Sequence, residues 1–153
     1  MKTIKNFIAI FILFTSISAS AQQISKAELQ VTGLTCSMCS KATETSLRTL
    51  NFIADITPDL NKNLFLITFK KGNKVDIASI KDKVEDAGFS VGGMSAIIDF
   101  SQTKIGENGQ VVVNGQNYQF TNLKSRVLDG EVKATVSDKD LKSKSTPVYR
   151  LSI

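Results

Sequence analysis

Residues 27–50 read AELQVTGLTCSMCSKATETSLRTL, and their hydrophobic period changes at Gly33. Before this glycine, apolar and polar side chains alternate, which is typical of a half-buried strand. After it, apolar and small residues recur at helical spacing and predict one helix face, formed by Cys39, Ala42, Ser46, Leu47 and Leu50. The stretch therefore predicts a strand, a short loop and a helix.

The next part of the chain adds further elements of both kinds. Periodicity, capping and turn residues predict, in chain order, a strand over 52–57, a strand over 64–69, a helix from Asp76 to Gly88, and a strand over 89–91 that resumes over 96–98. The order β-α-β-β-α-β is the ferredoxin-like arrangement, in which two helices cover one face of a four-stranded antiparallel sheet. We therefore expect an α+β domain over residues 22–99.

Residues 100–153 have a different pattern, in which short apolar runs lie between turns that contain glycine. Hairpin turns are predicted at Asn108-Gly109, Asn114-Gly115 and Asp129-Gly130. No helix of ordinary length is predicted here. Because about fifty residues bury little core on their own, we expect a small all-β extension, arranged as a meander, that packs against the first domain or a partner.

The N-terminal stretch predicts a secretory signal peptide over residues 1–21. Lys2 and Lys5 precede an unbroken apolar run over 7–14, and Ala19-Ser20-Ala21 is a small-residue cleavage site. The run is shorter than the ~20 residues that span a bilayer. We expect cleavage after this site, a periplasmic or secreted mature chain, and no stable membrane insertion after cleavage.

Charge and composition exclude several classes of function. The formal net charge is +5, and removal of Lys2 and Lys5 with the signal peptide leaves +3. A nucleic-acid-binding protein usually has a stronger basic stripe with interleaved aromatic side chains, so no nucleic-acid partner is expected. The chain has no His, which excludes Ser-His-Asp and Cys-His nucleophile systems. Because no acid/base pair or phosphate loop is evident either, we do not expect an enzyme.

The two cysteines of the chain, Cys36 and Cys39, form one CxxC motif between the first strand and the first helix. This spacing allows one thiolate in the loop and one on the first helical turn, where unpaired N–H groups stabilise thiolates. Thiolates are soft ligands that suit Cu(I). Two sulfurs without His offer a two-coordinate site, which leaves Zn(II) under-coordinated unless two chains share the ion. Cu(I) is therefore the expected ion, with Hg(II), Zn(II) and Cd(II) as alternatives.

Three other interpretations stay open. A CxxC between a strand and a helix also occurs in thiol–disulfide redox proteins, although neither Pro58 nor Pro147 lies near the pair. Two cysteines in an exported protein also indicate a disulfide, although a bond across so short a loop constrains little chain. The third hypothesis assigns binding to the β extension and no role to the cysteines.

The motif GLTCSMC at residues 33–39, with VEDAGFSV at residues 84–91, resembles the heavy-metal-associated domain family. That family includes copper chaperones, N-terminal domains of copper-transporting P-type ATPases and the periplasmic mercury-binding protein, and its hallmark is GMTCxxC in a βαββαβ fold. The resemblance covers about residues 24–98. It implies that Cys36 and Cys39 bind a metal ion and pass it by ligand exchange to a thiol-bearing transporter or acceptor protein, with Cys36 the first ligand attacked.

Two neighbours of the motif bear on this resemblance. Leu34 stands where the family usually has Met, and we expect it to pack under the loop. Phe89 matches the version of the nearby loop found in the ATPase domains. Met38 is expected to be a loop side chain that covers apolar surface, with a weak thioether ligand as the alternative. The extension from residue 101 has no counterpart in the family.

Overall fold

A computed structural model describes residues 23–113, 116–123, 125, 127–137, 139–140 and 148–153. The elements of this part are, in chain order, β1 (Gln23–Thr32), α1 (Ser37–Leu47), β2 (Ile53–Asp59), β3 (Leu64–Phe69), α2 (Ile77–Asp86), β4 (Ser90–Lys104), β5 (Gln110–Val113), β6 (Gln116–Phe120), β7 (Val127–Val136) and β8 (Val148–Ser152). The predicted signal peptide lies outside the described residues. Neither α1 nor α2 is long and apolar enough to cross a membrane.

The first six elements confirm the predicted β-α-β-β-α-β order and the α+β class. Their strands pair antiparallel in the order β2-β3-β1-β4. The buried face of these strands packs against both helices through a core that includes Leu29, Ile67, Ile98, Leu47, Ile80 and Val84. Asp76 caps α2 as predicted, since its carboxylate accepts the Ala78 N–H at 3.0 Å.

The buried face of α1 differs from the predicted one. The buried residues are Ser40, Thr43, Glu44 and Leu47, whereas Ala42 is exposed. Hydrogen bonds explain how polar groups occupy this face: the Thr43 hydroxyl donates to the Cys39 carbonyl at 3.2 Å, and Glu44 accepts from Arg48 Nε at 2.8 Å. The hydrophobic pattern therefore predicted a helix in the right part of the chain, but it predicted the wrong set of residues for the buried face of that helix.

Strand β4 is continuous, where the sequence predicted two short runs. The break in the pattern comes from Gly92, which is the extra residue of a bulge opposite Gln30 and Val31 of β1. A Cβ at Gly92 would lie 2.8 Å from Thr32 Cγ2, so a larger side chain does not fit without a shift. The bulge keeps β1 and β4 paired up to the loop that follows Thr32.

The extension continues the same sheet. β7 pairs antiparallel with β4 from Ser95↔Thr135 to Lys104↔Val127, and the full order is β2-β3-β1-β4-β7-β8-β6-β5. Because β4 runs from Ser90 to Lys104, it crosses the predicted boundary between 22–99 and 100–153. That the extension is all-β stays a prediction. Residues 139–140 have helical backbone, and residues 141–147, which follow them, lie outside the described residues.

Three predictions about the extension were wrong, and the hairpin turn predicted at Asn114-Gly115 lies outside the described residues. Asn108-Gly109 belongs to a turn, in which the Gly109 N–H donates to the Gly106 carbonyl, but this turn joins β4 to β5, which are not neighbours in the sheet. The extension is not a meander, because β6 and β8 pair in parallel and lie next to each other in the sheet. Asp129-Gly130 is not a hairpin turn: it lies inside β7, where the pairing shifts between Phe100 and Thr103 of β4. Gly130 has φ +83°, a conformation that suits glycine at a bulge as well as at a turn.

Candidate metal centre

The loop between β1 and α1 is anchored to the hydrophobic core by apolar side chains. Gly33 ends the strand with φ +91°, and a Cβ built on it would lie 3.6 Å from Phe89 Cδ1. Leu34 and Phe89 are partly buried and pack against the core. The expected packing role of Leu34 is therefore confirmed, and Phe89 lies beside the start of the loop. These contacts fix the backbone that leads to Cys36.

The two cysteines lie at the start of α1. Cys36 is the N-cap residue in an extended conformation, and Cys39 is in the first helical turn. Their Cα atoms are 5.3 Å apart, and the two sulfurs are joined as a disulfide. The Cys39 N–H also donates to Cys36 Sγ at 3.2 Å. The structure therefore brings together both predicted ligands, in an oxidised pair that would have to be reduced before either sulfur could bind a metal.

Exposure differs between the members of the motif. Cys36 is exposed and Cys39 is half-buried. Met38 was expected to cover apolar surface, but 75% of its surface is exposed. It lies on the outer face of α1, beside Lys41 and Ala42. A reaction partner can thus approach the pair from the Cys36 side.

The local electrostatics favour anionic sulfur. The first turn of α1 contains no acidic residue. The N–H groups at a helix N-terminus have no partner within the helix and carry partial positive charge. A reduced Cys36 and Cys39 would hold their thiolates against this positive end, where thiolate is stabilised.

The described residues contain no larger ligand set. Within the described ranges, no group of three or more His, Cys, Asp or Glu side chains is placed to hold a metal ion. The nearest acidic side chain on the buried face of α1 is Glu44, and its pKa is held below the usual range by the Arg48 hydrogen bond, with Lys41 adding to the effect against burial. Glu44 is therefore engaged in ion pairs with Lys41 and Arg48.

A shallow cleft of about 190 Å³ opens beside Cys36. It is lined by residues of the loop, the start of α1 and the β2–β3 turn: Leu34, Thr35, Cys36, Ser37, Ser40, Leu60 and Asn63. Ser40 is buried in its wall, with 4% of its surface exposed. Ser40 is not among the residues that the sequence predicts for the site. Its spacing of three from Thr43 and seven from Leu47 is the signal that could have placed it on the inner face of the helix.

The chain matches the heavy-metal-associated domain (HMA) over residues 28–90. It is similar to a copper chaperone, CopZ, of Staphylococcus haemolyticus strain JCSC1435, with 32% identity over 63 residues that cover 41% of this chain and 91% of that protein. It is also similar to a probable copper-transporting ATPase, HMA5, of Arabidopsis thaliana, with 41% identity over 66 residues. That match covers 43% of this chain but only 6% of the ATPase.

A solved structure of a CopZ metallochaperone is similar as well. It has 27% sequence identity and a TM-score of 0.41, and the match covers 44% of this chain and 98% of that one. The match to the family includes Cys36 and Cys39, since both residues lie within 28–90.

Proposed function

Because this chain belongs to the heavy-metal-associated domain family, we propose that its reduced Cys36 and Cys39 thiolates bind one Cu(I) ion and deliver it to an acceptor. The observation that carries the proposal is the placement of both sulfurs at the exposed N-terminus of α1, with their Cα atoms 5.3 Å apart. One ligand comes from the loop and the other from the helix. Two of the chain's relatives are named as a copper chaperone and a probable copper-transporting ATPase.

The choice of ion follows from the ligand number. Two thiolates with no third His, Cys, Asp or Glu ligand grouped with them among the described residues suit a soft ion that accepts low coordination, as Cu(I) does. Hg(II) has the same preference. Zn(II) and Cd(II) need further ligands, which a second copy of the chain would have to supply. We therefore rank Cu(I) first and a one-to-one complex above a shared ion.

Delivery proceeds by ligand exchange. A thiolate of the acceptor adds to Cu(I), and the bond from Cu(I) to the exposed Cys36 breaks first, while the half-buried Cys39 keeps the ion attached. A second acceptor thiolate then replaces Cys39. The copper keeps its oxidation state throughout, so no electron donor is needed and the chain acts as a carrier and not as an enzyme. The acceptor is a transporter or other protein that presents thiols.

The compartment belongs to the same proposal. Residues 1–21 have the composition of a cleaved signal peptide, so the carrier is exported and works in the periplasm or outside the cell. An oxidising compartment favours the disulfide form of the pair, so a dithiol reductant has to supply two electrons and two protons, becoming a disulfide itself, before Cys36 and Cys39 can bind copper. N-terminal sequencing of the protein recovered from the cell envelope should begin at Gln22. A sequence beginning at Met1 would contradict export by cleavage.

X-ray absorption at the copper edge tests the proposed site. The reduced protein with one equivalent of Cu(I) should show two sulfur neighbours at copper. Four sulfur neighbours, together with a dimer in solution, would replace the one-to-one complex by a shared ion. A copper shell of oxygen and nitrogen would contradict thiolate binding altogether.

A further inference from the structure

Strands β7 and β8 present a group of polar side chains on the outer face of the sheet. Alternate side chains of β8 are buried, so Arg150 and Ser152 lie together on its other face. The Ser137 N–H donates to the Arg150 carbonyl at 2.9 Å, which continues the antiparallel register Thr135↔Ser152. Ser137 is therefore the cross-strand neighbour of Arg150, and their side chains lie on the same face.

A buried carboxylate holds Arg150 in place. Asp140 is 3% exposed and accepts hydrogen bonds from the Arg150 Nε at 3.4 Å and Nη2 at 2.8 Å, as well as from its backbone N–H at 2.6 Å. These contacts use the side edge of the guanidinium. The other edge, formed by Nη1 and the second Nη2 N–H, has no hydrogen-bond partner within the described ranges. Two parallel N–H donors on a fixed plane match the oxygens of a phosphate or carboxylate group.

A cleft of about 300 Å³ opens beside this arginine. Its lining comes from the ends of β6, β7 and β8 and the residues just after them: Thr121, Ser137, Lys139, Arg150, Leu151 and Ser152. Lys139 is exposed and has no ion-pair partner in the described part of the chain. The hydroxyls of Ser137 and Ser152 have no hydrogen-bond partner there either, whereas the Thr121 hydroxyl donates to the Leu151 carbonyl.

The charges and donors of the cleft favour an anion with several oxygens. Lys139 and Arg150 supply two positive charges, of which the buried Asp140 carboxylate neutralises one. A carboxylate ligand has two oxygens, and the free edge of Arg150 would occupy both. A tetrahedral oxyanion has further oxygens, for which the Lys139 ammonium and the two serine hydroxyls are the remaining donors.

We propose that this cleft binds a phosphate-type oxyanion, which the free edge of Arg150 grips and Lys139 helps to neutralise. The Ser137 and Ser152 hydroxyls donate to its remaining oxygens. Asp140 is a positioning residue, because it fixes the guanidinium without touching the anion. The cleft volume lies at the lower end of the roughly 300–1,000 Å³ of small-molecule sites, which leaves room for an organic group on the phosphate. The anion is inorganic phosphate, a small phosphate monoester or the phosphate monoester of a lipid headgroup.

The test is an NMR titration of the protein with its Cys36–Cys39 disulfide intact, so that copper binding plays no part in the result. Backbone amide signals are followed while inorganic phosphate is added at constant ionic strength. Acetate is titrated in the same way, as a carboxylate of the same charge type. Glycerol 3-phosphate and vesicles of phosphatidylcholine, with and without phosphatidic acid, form the arms that distinguish the sources of the phosphate group.

We expect the amide signals of Ser137, Lys139 and Ser152 to shift and saturate with phosphate, and acetate to bind more weakly. Tighter binding of glycerol 3-phosphate than of inorganic phosphate would support the proposal and identify a small monoester as the ligand. Binding to vesicles only when they contain phosphatidic acid would support it and identify a lipid headgroup.

Two variants test the residues and a third is the control. Lys139→Gln should weaken phosphate binding roughly threefold to fivefold, the effect of one exposed charge pair. Arg150→Lys keeps a cation beside Asp140 but has no second edge, so it should weaken binding about tenfold. Lys133→Gln should bind as the native protein does, because Lys133 lies on the same strand but pairs with Glu28 outside the cleft. Amide spectra that are otherwise native show that each variant is folded.

Three results would overturn the proposal. The first is the absence of saturable shifts at the cleft with either inorganic phosphate or glycerol 3-phosphate. The second is equal phosphate affinity in the native protein, Lys139→Gln and Arg150→Lys. The third is acetate binding as tight as phosphate binding, which would contradict a tetrahedral anion. None of these results bears on the proposed copper site, because the cleft contains neither cysteine.

Discussion

The Cys39 N–H donates a hydrogen bond to Cys36 Sγ at 3.2 Å, so that the first sulfur of the motif is also the N-cap of α1. A capping side chain satisfies one of the orphan N–H groups at the start of a helix. The candidate metal ligand is thereby oriented by the fold before any ion arrives. Cys36 is therefore expected to contribute both to the stability of α1 and to metal binding, and substitutions at this position can separate the two contributions.

Replacement of Cys36 by serine or by alanine should separate capping from metal binding. Both variants should lose Cu(I) binding, because one thiolate remains. Serine caps helices well, whereas alanine does not. The free energy of unfolding of reduced Cys36→Ala should therefore be about 1 kcal/mol lower than that of Cys36→Ser. Urea unfolding under reducing conditions measures the difference, and equal stability of the two variants would show that the cap contributes nothing.

Replacement of Gly92 by alanine should strain the junction between β1 and β4. The new Cβ would meet Thr32 Cγ2 at 2.8 Å, and the Thr32 hydroxyl holds its side chain in place by donating to the Ser90 carbonyl. We expect a loss of about 1 kcal/mol in the free energy of unfolding. Thr32→Ser removes Cγ2 and keeps the hydroxyl, so it should restore most of this loss in the double variant. A loss that persists in the double variant would locate the strain elsewhere.

Replacement of Phe120 by alanine should destabilise the whole chain without changing metal affinity. Phe120 is 2% exposed, and its ring centroid lies 6.1 Å from that of Phe100 on β4. We expect a loss of about 3–5 kcal/mol in the free energy of unfolding. Because the extension and the first domain share β4, circular dichroism should record one unfolding transition in both forms.

The control for this prediction is Val112→Ala, since Val112 is 55% exposed on β5. Its effect should stay within about 0.5 kcal/mol. Two separate transitions in the native protein, of which Phe120→Ala shifts only one, would show that the extension folds independently of β1–β4.

The Asp140–Arg150 pair should make stability depend on pH in the acid range. Asp140 is buried and accepts from the Arg150 N–H at 2.6 Å and from Nη2 at 2.8 Å. Burial raises the pKa of this carboxyl, but the hydrogen bonds and charge of Arg150 outweigh it and hold the pKa below its usual value. A group whose pKa is depressed by folding stabilises the protein above its unfolded pKa, near 3.9 for Asp, and this contribution is lost as pH falls through the folded pKa.

Asp140→Asn tests this dependence. The substitution should lower the free energy of unfolding at pH 7 by about 1–3 kcal/mol, and the gap to the native protein should narrow below about pH 4. Asp86→Asn is the control, because Asp86 pairs with Lys83 at an exposed site and should contribute less than about 1 kcal/mol. A gap that stays constant from pH 7 to pH 3 would rule out the ionised carboxylate as its source.

The sequence was most informative where structure is local. Alternation and helical spacing predicted the order of β1 to β4, and the two-residue spacing of the cysteines predicted their meeting at the start of α1, because both depend on neighbours along the chain. The inner face of α1 was missed since Thr43 and Glu44 are buried through hydrogen bonds, which hydrophobicity does not record. Ser40 was missed for a related reason: it is buried although its hydroxyl has no hydrogen-bond partner among the described residues.

The topology of the extension could not be predicted in the same way. The parallel pairing of β6 with β8 joins Tyr118 to Tyr149, which are far apart in the chain. Gly130 lies beside the irregular pairing of β7 with β4, and its positive φ calls for the same residue type as a hairpin turn. Residues typical of turns therefore predicted a position with unusual backbone geometry. They could not predict whether the strand continues beyond that position or reverses there in a hairpin.

The most direct test of thiolate-bound Cu(I) is a competitive Cu(I) titration of the reduced protein under anaerobic conditions, beside the Cys36→Ser/Cys39→Ser double variant. We predict one tightly held ion per chain in the native protein and none in the double variant. Absence of binding in the native protein, or equal binding by the double variant, would contradict the assignment of Cys36 and Cys39 as the metal site.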